Sequence, residues 1–247
     1  MIFSNKKLVF NGYQAESLGF VVVEGAPEIL AQENYEVVTV EGRNGNLLLN
    51  KGTYPDIEKV FTITAIDYMD EDDIEGMVNS IKQWMFNATD NRLYYAFRNK
   101  YNIVKKVIFT ENIKTSFEEF GDFQVTFLCE PFYYIDEEVI TVNGSTTSDV
   151  THTFANNGDF ESFPMLRVYG SGDVTFELNG EEISIENVSS YADIDSKLLI
   201  CTDSQGRSKI SDFLSSFPTL KIGENKLTIK AGSGISRIEI TPRTIYR

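Results

Sequence analysis

Val174-Thr175-Phe176-Glu177-Leu178-Asn179-Gly180-Glu181-Glu182-Ile183-Ser184-Ile185 alternates apolar and polar side chains on either side of an Asn-Gly pair. Alternation with period two puts one face of a strand in a core and the other in solvent. Asn-Gly accepts the left-handed dihedrals that a two-residue hairpin turn demands. The stretch therefore reads as two antiparallel strands, Val174–Leu178 and Glu182–Ile185, joined by a tight turn. The same grammar recurs at Phe61 to Ile66, with Thr62 and Thr64 interposed, and at Phe123, Val125, Phe127 and Cys129. Asn11-Gly12, Asn44-Gly45, Asn143-Gly144 and Asn157-Gly158 supply further turn signals. A mainly β protein follows.

One helix interrupts the pattern. Ile74, Met77, Val78, Ile81, Trp84 and Met85 recur at helical spacing and form a single apolar stripe. Asp70, Glu71, Asp72 and Asp73 crowd its start, where negative charge complements the helix dipole. A second short helix or turn is expected around Ile210–Leu214, before Pro218. The seam near Asp136–Glu138, followed by a polar stretch from Asn143 to Asn157, divides the chain. Residues 1–137 are expected to form an α+β domain and residues 138–247 an all-β sandwich. Gly170-Ser171-Gly172 and Gly232-Ser233-Gly234 read as turns between strands, since neither is followed by a phosphate-binding helix.

Composition narrows the function classes. The 37 acidic residues against 22 Lys and Arg give a net charge of −15 over 247 residues. Such a chain repels phosphate at long range, which argues against specific nucleic-acid binding. The interleaved basic and aromatic run Arg92 to Tyr101 is therefore read as a buried or interfacial strand. No stretch approaches the length of apolar residues that a membrane span needs. The N-terminus lacks the pattern of a secretory signal, so folding in a cytoplasm is expected. Cys129 and Cys201 lie far apart, outside any C-x-x-C pattern, and read as buried thiols.

The search for catalytic chemistry returns no site. His152 is the single histidine, which excludes histidine pairs and histidine-rich metal sites. Its strand-like segment suits a solvated side chain better than a general base. Glu118-Glu119, Glu137-Glu138 and Glu181-Glu182 read as exposed edges or turns, with nothing to single out an acid pair. The acidic run Asp67 to Glu75 fails as a calcium loop, because neither register has glycine at the sixth position. No enzyme activity, cofactor or metal is expected. The binding alternative is a carbohydrate-binding adhesin acting on host cell-wall glycans, for which Tyr169, Tyr191 and Phe160 supply candidate aromatics. Trp84 sits on the helix stripe and is assigned to the core.

Several stretches together carry a resemblance. They are Val40-Glu41-Gly42-Arg43-Asn44-Gly45-Asn46-Leu47 with Gly52-Thr53-Tyr54, the helix end Ile81-Lys82-Gln83-Trp84-Met85 with Leu93-Tyr94-Tyr95, and Gly121-Asp122-Phe123 through Glu130-Pro131-Phe132-Tyr133-Tyr134. The C-terminal half adds Phe163-Pro164-Met165-Leu166-Arg167, Phe217-Pro218-Thr219-Leu220 through Gly223-Glu224-Asn225, and Ile238-Glu239-Ile240-Thr241-Pro242-Arg243. In this order the set resembles the distal tail (Dit) proteins of siphophages and prophages of Gram-positive bacteria, over nearly the whole chain.

The resemblance implies an N-terminal domain that closes into a hexameric ring, followed by a galectin-like β-sandwich. It implies a virion structural protein at the tail tip and baseplate, without catalytic activity. The implied partners are other copies of the chain, the tail tube protein, a tail-associated lysin or tail fibre protein, and a receptor-binding protein. DNA would pass through the channel without specific binding, and part of the negative charge is expected to line it. Gly42, Arg43 and Gly45 are the candidate inter-subunit or structural motif. An arginine in a glycine-rich turn can hold a carboxylate or backbone carbonyl in a fork of hydrogen bonds; an exposed turn charge is the alternative.

Overall fold

Alternating strands bury their apolar side on whatever layer faces them, and in this chain they build two separate cores. The computed structural model describes residues 7–66, 71–95, 97 and 99–247. Contacts divide the chain into two compact units, one running to Tyr134 with Arg247 added, the other Ile135–Tyr246. The division falls just ahead of the 137/138 seam read from the sequence.

The first unit contains β1 (Val9–Phe10), β2 (Tyr13–Gln14), a 3-10 turn (Ala15–Leu18), β3 (Phe20–Glu24), β4 (Tyr35–Val38), β5 (Leu47–Asn50), β6 (Ile57–Ala65), α1 (Glu71–Phe86), β7 (Arg92–Tyr94), β8 (Lys100–Ile108), α2 (Ile113–Phe120) and β9 (Asp122–Cys129). Seven of these strands form one sheet in the order β2-β1-β7-β8-β9-β6-β3, and β10 (Tyr134–Ile135) pairs with β8. The alternation of Phe61, Ile63, Phe123, Val125 and Phe127 buries all five side chains. Phe127 meets Phe10 at 5.1 Å and Phe61 at 5.7 Å, both edge to face, the arrangement that ring quadrupoles favour.

Helix α1 presents its stripe as read, with Met77, Ile81, Trp84 and Met85 buried. The Trp84 indole donates to the Phe10 carbonyl at 2.9 Å and stacks on Phe20 at 6.0 Å. Of the acidic helix start and the rejected calcium loop, Asp67 to Asp70 lie outside the described residues. A charged side chain breaks the apolar pattern of β6. Lys59 faces inward between Ile57 and Phe61 and donates to the Tyr133 hydroxyl at 2.8 Å. Burial pushes the Tyr133 phenol up to about 12.

The second unit contains β11 (Ile140–Asn143), β12 (Val150–Asn156), β13 (Met165–Leu178), β14 (Glu181–Asp195), β15 (Ile200–Asp203), β16 (Gly223–Ile229) and β17 (Ile235–Thr241). Five strands follow the order β11-β17-β13-β14-β15, while β12 pairs with β16 and β16 with β13. The 14-residue β13 serves both layers: Met165 to Gly170 pair with β17, whereas Phe176 to Leu178 pair with β16. A strand that changes partners must bend, and bulges are the usual device. Here the register shifts between Gly172 and Val174.

This corrects one reading. Gly170-Ser171-Gly172 is the bend inside a single long strand, not a turn between strands. A Cβ on Gly170 would stand 2.6 Å from the Gly234 carbonyl oxygen, so the backbones approach too closely for any side chain. Gly170→Ala is expected to cost about 1–3 kcal/mol through forced backbone shifts, measured by urea unfolding; an unchanged midpoint would mean that the bend absorbs the methyl. Gly232 and Gly234, by contrast, lie between β16 and β17 as a turn should. The Asn179-Gly180 hairpin forms as read, with φ of 55° and 87°.

Of the short helix or turn expected around Ile210–Leu214, the turn is what forms: residues 210–212 make a turn, closed by the Asp212 amide on the Lys209 carbonyl at 3.0 Å. Phe213 bridges to Ile185, the Leu214 amide donates to the Ser184 carbonyl, and the Glu186 amide to the Asp212 carbonyl. Cross-strand partners thus take the backbone groups that a helix would have used. The second helix is α2, with Asn112 as its cap: its Oδ1 accepts from the Lys114 amide at 3.0 Å.

Candidate functional site

The sequence motif at Gly42, Arg43 and Gly45 lies on the connection of a two-stranded ribbon. Strands β4 and β5 pair Tyr35 with Asn50, Glu36 with Leu49, Val37 with Leu48 and Val38 with Leu47. They pair with no other strand among the described residues. At the base the ladder continues through the Lys51 amide to the Asn34 carbonyl at 2.8 Å and the Asn34 amide to the Thr53 carbonyl at 2.7 Å. Lys51 pairs with Glu36 across the ribbon.

The connection has its own order. The Arg43 amide donates to the Val40 carbonyl at 3.1 Å, and Thr39 Oγ1 donates to Asn46 Oδ1 at 3.3 Å. Gly42 and Gly45 have φ of 80° and 82°, dihedrals that side chains with a Cβ resist. The Arg43 guanidinium is exposed and makes no hydrogen bond or ion pair within the described part of the chain.

The side chains of the ribbon are unusual for a free hairpin. Residues directly opposite share a face, so Tyr35, Val37 and Leu48 line one side and Leu47, Leu49 and Val38 the other. Tyr35, Val37 and Leu48 are 57%, 51% and 60% exposed. An isolated two-stranded hairpin is marginal in water. Contiguous exposed apolar side chains mark interaction surfaces, and two open strand edges invite pairing.

The cysteines, the histidine and the paired glutamates carry no comparable signal. Cys129 and Cys201 are buried, and burial pushes their thiols up to about 12 and about 11, away from the thiolate that reactivity requires. His152 is exposed on β12, its ring stacked near Phe154 at 6.2 Å. Glu137 is not an exposed edge: it accepts from both the amide and the hydroxyl of Thr244. The side chains of Glu118 and Glu119 lie outside the described residues. Within Arg92 to Tyr101, Ala96 and Arg98 lie outside them as well. There Arg92 is held by a fork of bonds to Asp90 and lies 5.6 Å from the Tyr101 ring centre. That neutralises one of the charges a nucleic-acid platform would need. No group of three or more metal-ligating side chains occurs among the described residues, and no described helix is long and apolar enough to cross a membrane.

The fold has a counterpart among solved structures. Over 96% of this chain and 98% of the other, it superposes on SPP1 Dit (gp 19.1) with a TM-score of 0.66. The chain has the Dit fold. Sequence identity is 14%, so the likeness is one of architecture. SPP1 Dit is described as a paradigm of the hub adsorption apparatus in phages that infect Gram-positive bacteria. No family model and no curated protein matches the sequence.

Proposed function

We propose that this chain is a structural hub of a phage tail tip, with no catalytic activity of its own. Copies associate through the first unit into a hexameric ring around a channel. The ring joins the tail tube to a tail-associated lysin or fibre protein. The second unit, a galectin-like sandwich, offers a place for receptor-binding proteins. The reading rests on end-to-end likeness to SPP1 Dit, and the exposed apolar ribbon is the observation that supports self-association.

Ring closure requires a heterologous interface, in which one surface meets a different surface of the next copy. The ribbon is one such surface. Tyr13, Ile66 and Phe86 are exposed apolar side chains elsewhere in the first unit and are candidates for the other. Arg43, with an uncommitted guanidinium, is assigned to an acceptor on the neighbouring copy. The charge of −15 suits a channel wall that releases DNA, since phosphate contacts would slow transit.

Sedimentation and negative-stain imaging, with and without the tail tube protein, test the reading. A six-fold ring is expected. Arg43→Ala should weaken ring formation about tenfold or more, as the loss of a charge-assisted fork does, while leaving monomer unfolding unchanged. A strict monomer in the presence of tail partners would overturn the proposal.

A further inference from the structure

On the second unit, one sheet face carries a row of side chains that the hub reading does not use. Cross-strand register places Arg237, Tyr169 and Tyr191 side by side on neighbouring strands. The adjacent row on the same face is Glu239, Arg167, Asp193 and Thr202. Beneath them Leu166 and Val168 are fully buried, so the face is outward by alternation.

The row is held rigidly. Arg167 forks onto Asp193 at 2.7 and 2.9 Å, and its guanidinium lies 4.4 Å from the Tyr191 ring centre. Arg237 stacks over Tyr169 at 3.9 Å and pairs with Glu239 at 3.1 Å. The Tyr169 hydroxyl donates to Glu239 at 3.2 Å, and the two tyrosine rings stand 5.5 Å apart. All of these side chains remain partly open to solvent.

The geometry points to a saccharide-binding face on the second unit, centred on Tyr169 and Tyr191 and flanked by the Arg167–Asp193 and Arg237–Glu239 pairs. Three features select an uncharged polyol over other ligands. First, each guanidinium is matched by a carboxylate, so the patch is electrically balanced on a chain of charge −15; it attracts neither anions nor nucleic acid. Second, tyrosine and arginine planes form a rigid amphipathic surface against which the C–H patch of a pyranose can pack, at little entropic cost. Third, the Asp193 and Glu239 carboxylates and the Thr202 hydroxyl keep lone pairs that accept from sugar hydroxyls. Fixed polar groups converging beside aromatic surface are what small-molecule recognition requires.

The inference does not rest on ring formation, and the test keeps the two apart. Full-length protein with isotope-labelled tyrosine rings is titrated with soluble oligomers of N-acetylglucosamine, of glucose and of galactose. With at least one oligomer, the Tyr169 and Tyr191 ring signals are expected to shift saturably in the millimolar range or below, while Tyr35 on the ribbon stays still. Tyr169→Ala should weaken binding about tenfold or more. Asp193→Asn, which keeps the volume, should also weaken it, with circular dichroism confirming the fold of both variants. No saturable shift with any of the three sugars overturns the proposal, as do shifts that neither Tyr169→Ala nor Asp193→Asn alters. A protein partner that occupies this face, with no sugar response, also overturns it. Ring assembly, scored separately by sedimentation, is unaffected by any of these results.

Discussion

Replacing Tyr35, Val37 and Leu48 together by threonine is expected to abolish self-association while leaving the monomer folded. Each of the three is half exposed or more in the single chain, so the monomer loses little when they go. Surface substitutions of this kind usually change stability by about 0.5 kcal/mol or less, and threonine preserves strand propensity. In a ring the balance differs. Burying a fully exposed side chain of this size contributes about 1.5–3 kcal/mol; with about half of each left to bury, the three together weaken each interface by roughly 2–4 kcal/mol, on the order of thirtyfold to a thousandfold in affinity. Sedimentation velocity reads the association, and urea unfolding reads the monomer. Rings that persist in the triple variant at wild-type concentrations would remove the ribbon from the interface.

The ribbon also shows where sequence reading reaches its limit. Its turn was legible: Asn44-Gly45 and the Gly-Arg pair announce a bend, and the bend is there. That Val37 and Leu48 face solvent was not legible. Local alternation reports that a face is apolar, not whether the surface that covers it belongs to the same chain. The strand-rich architecture, helix α1 and the Asn179-Gly180 hairpin depend on patterns within a few residues, and those patterns are complete in the sequence. Three features escaped for the opposite reason. The bend at Gly170–Gly172 arises because β13 changes partners, and the bridge at Phe213 because β14 lies opposite. Lys59 sits on a buried face because Tyr133, 74 positions away, offers an oxygen. The Tyr169 and Tyr191 row had a partial signal in its aromatic residues. Their alignment with Arg167 and Arg237 needed the strand register. Phe160, read with them, lies in the loop after β12 and takes no part in the row.

Asp195→Ala is expected to destabilise the second unit by about 3 kcal/mol, the lower range for breaking a largely buried ion pair. The Asp195 carboxylate is the clasp between the β14–β15 turn and the segment after β17. Arg243 forks onto it at 2.6 and 2.8 Å. The same carboxylate accepts from the Lys197 and Leu198 amides, each at 3.0 Å. Two strained residues depend on it, since Leu199 and Arg243 both hold φ of 56°, a conformation that costs of order 1 kcal/mol or more outside glycine. Truncation leaves the guanidinium unpaired and the turn amides without an acceptor. Burial alone would raise the pKa of Asp195, but the hydrogen bonds and charge of Arg243, with the two amides, outweigh it and hold the carboxyl below the usual range. The sign follows from linkage. A depressed folded value gives stability that is present above the unfolded pKa of about 3.9 and is lost as pH falls through the folded one. Wild-type protein should therefore lose stability below about pH 4 more steeply than Asp195→Ala, and the two unfolding curves should converge in acid. Equal acid sensitivity in both would assign the anchoring of this turn to local packing instead of the Asp195 carboxylate.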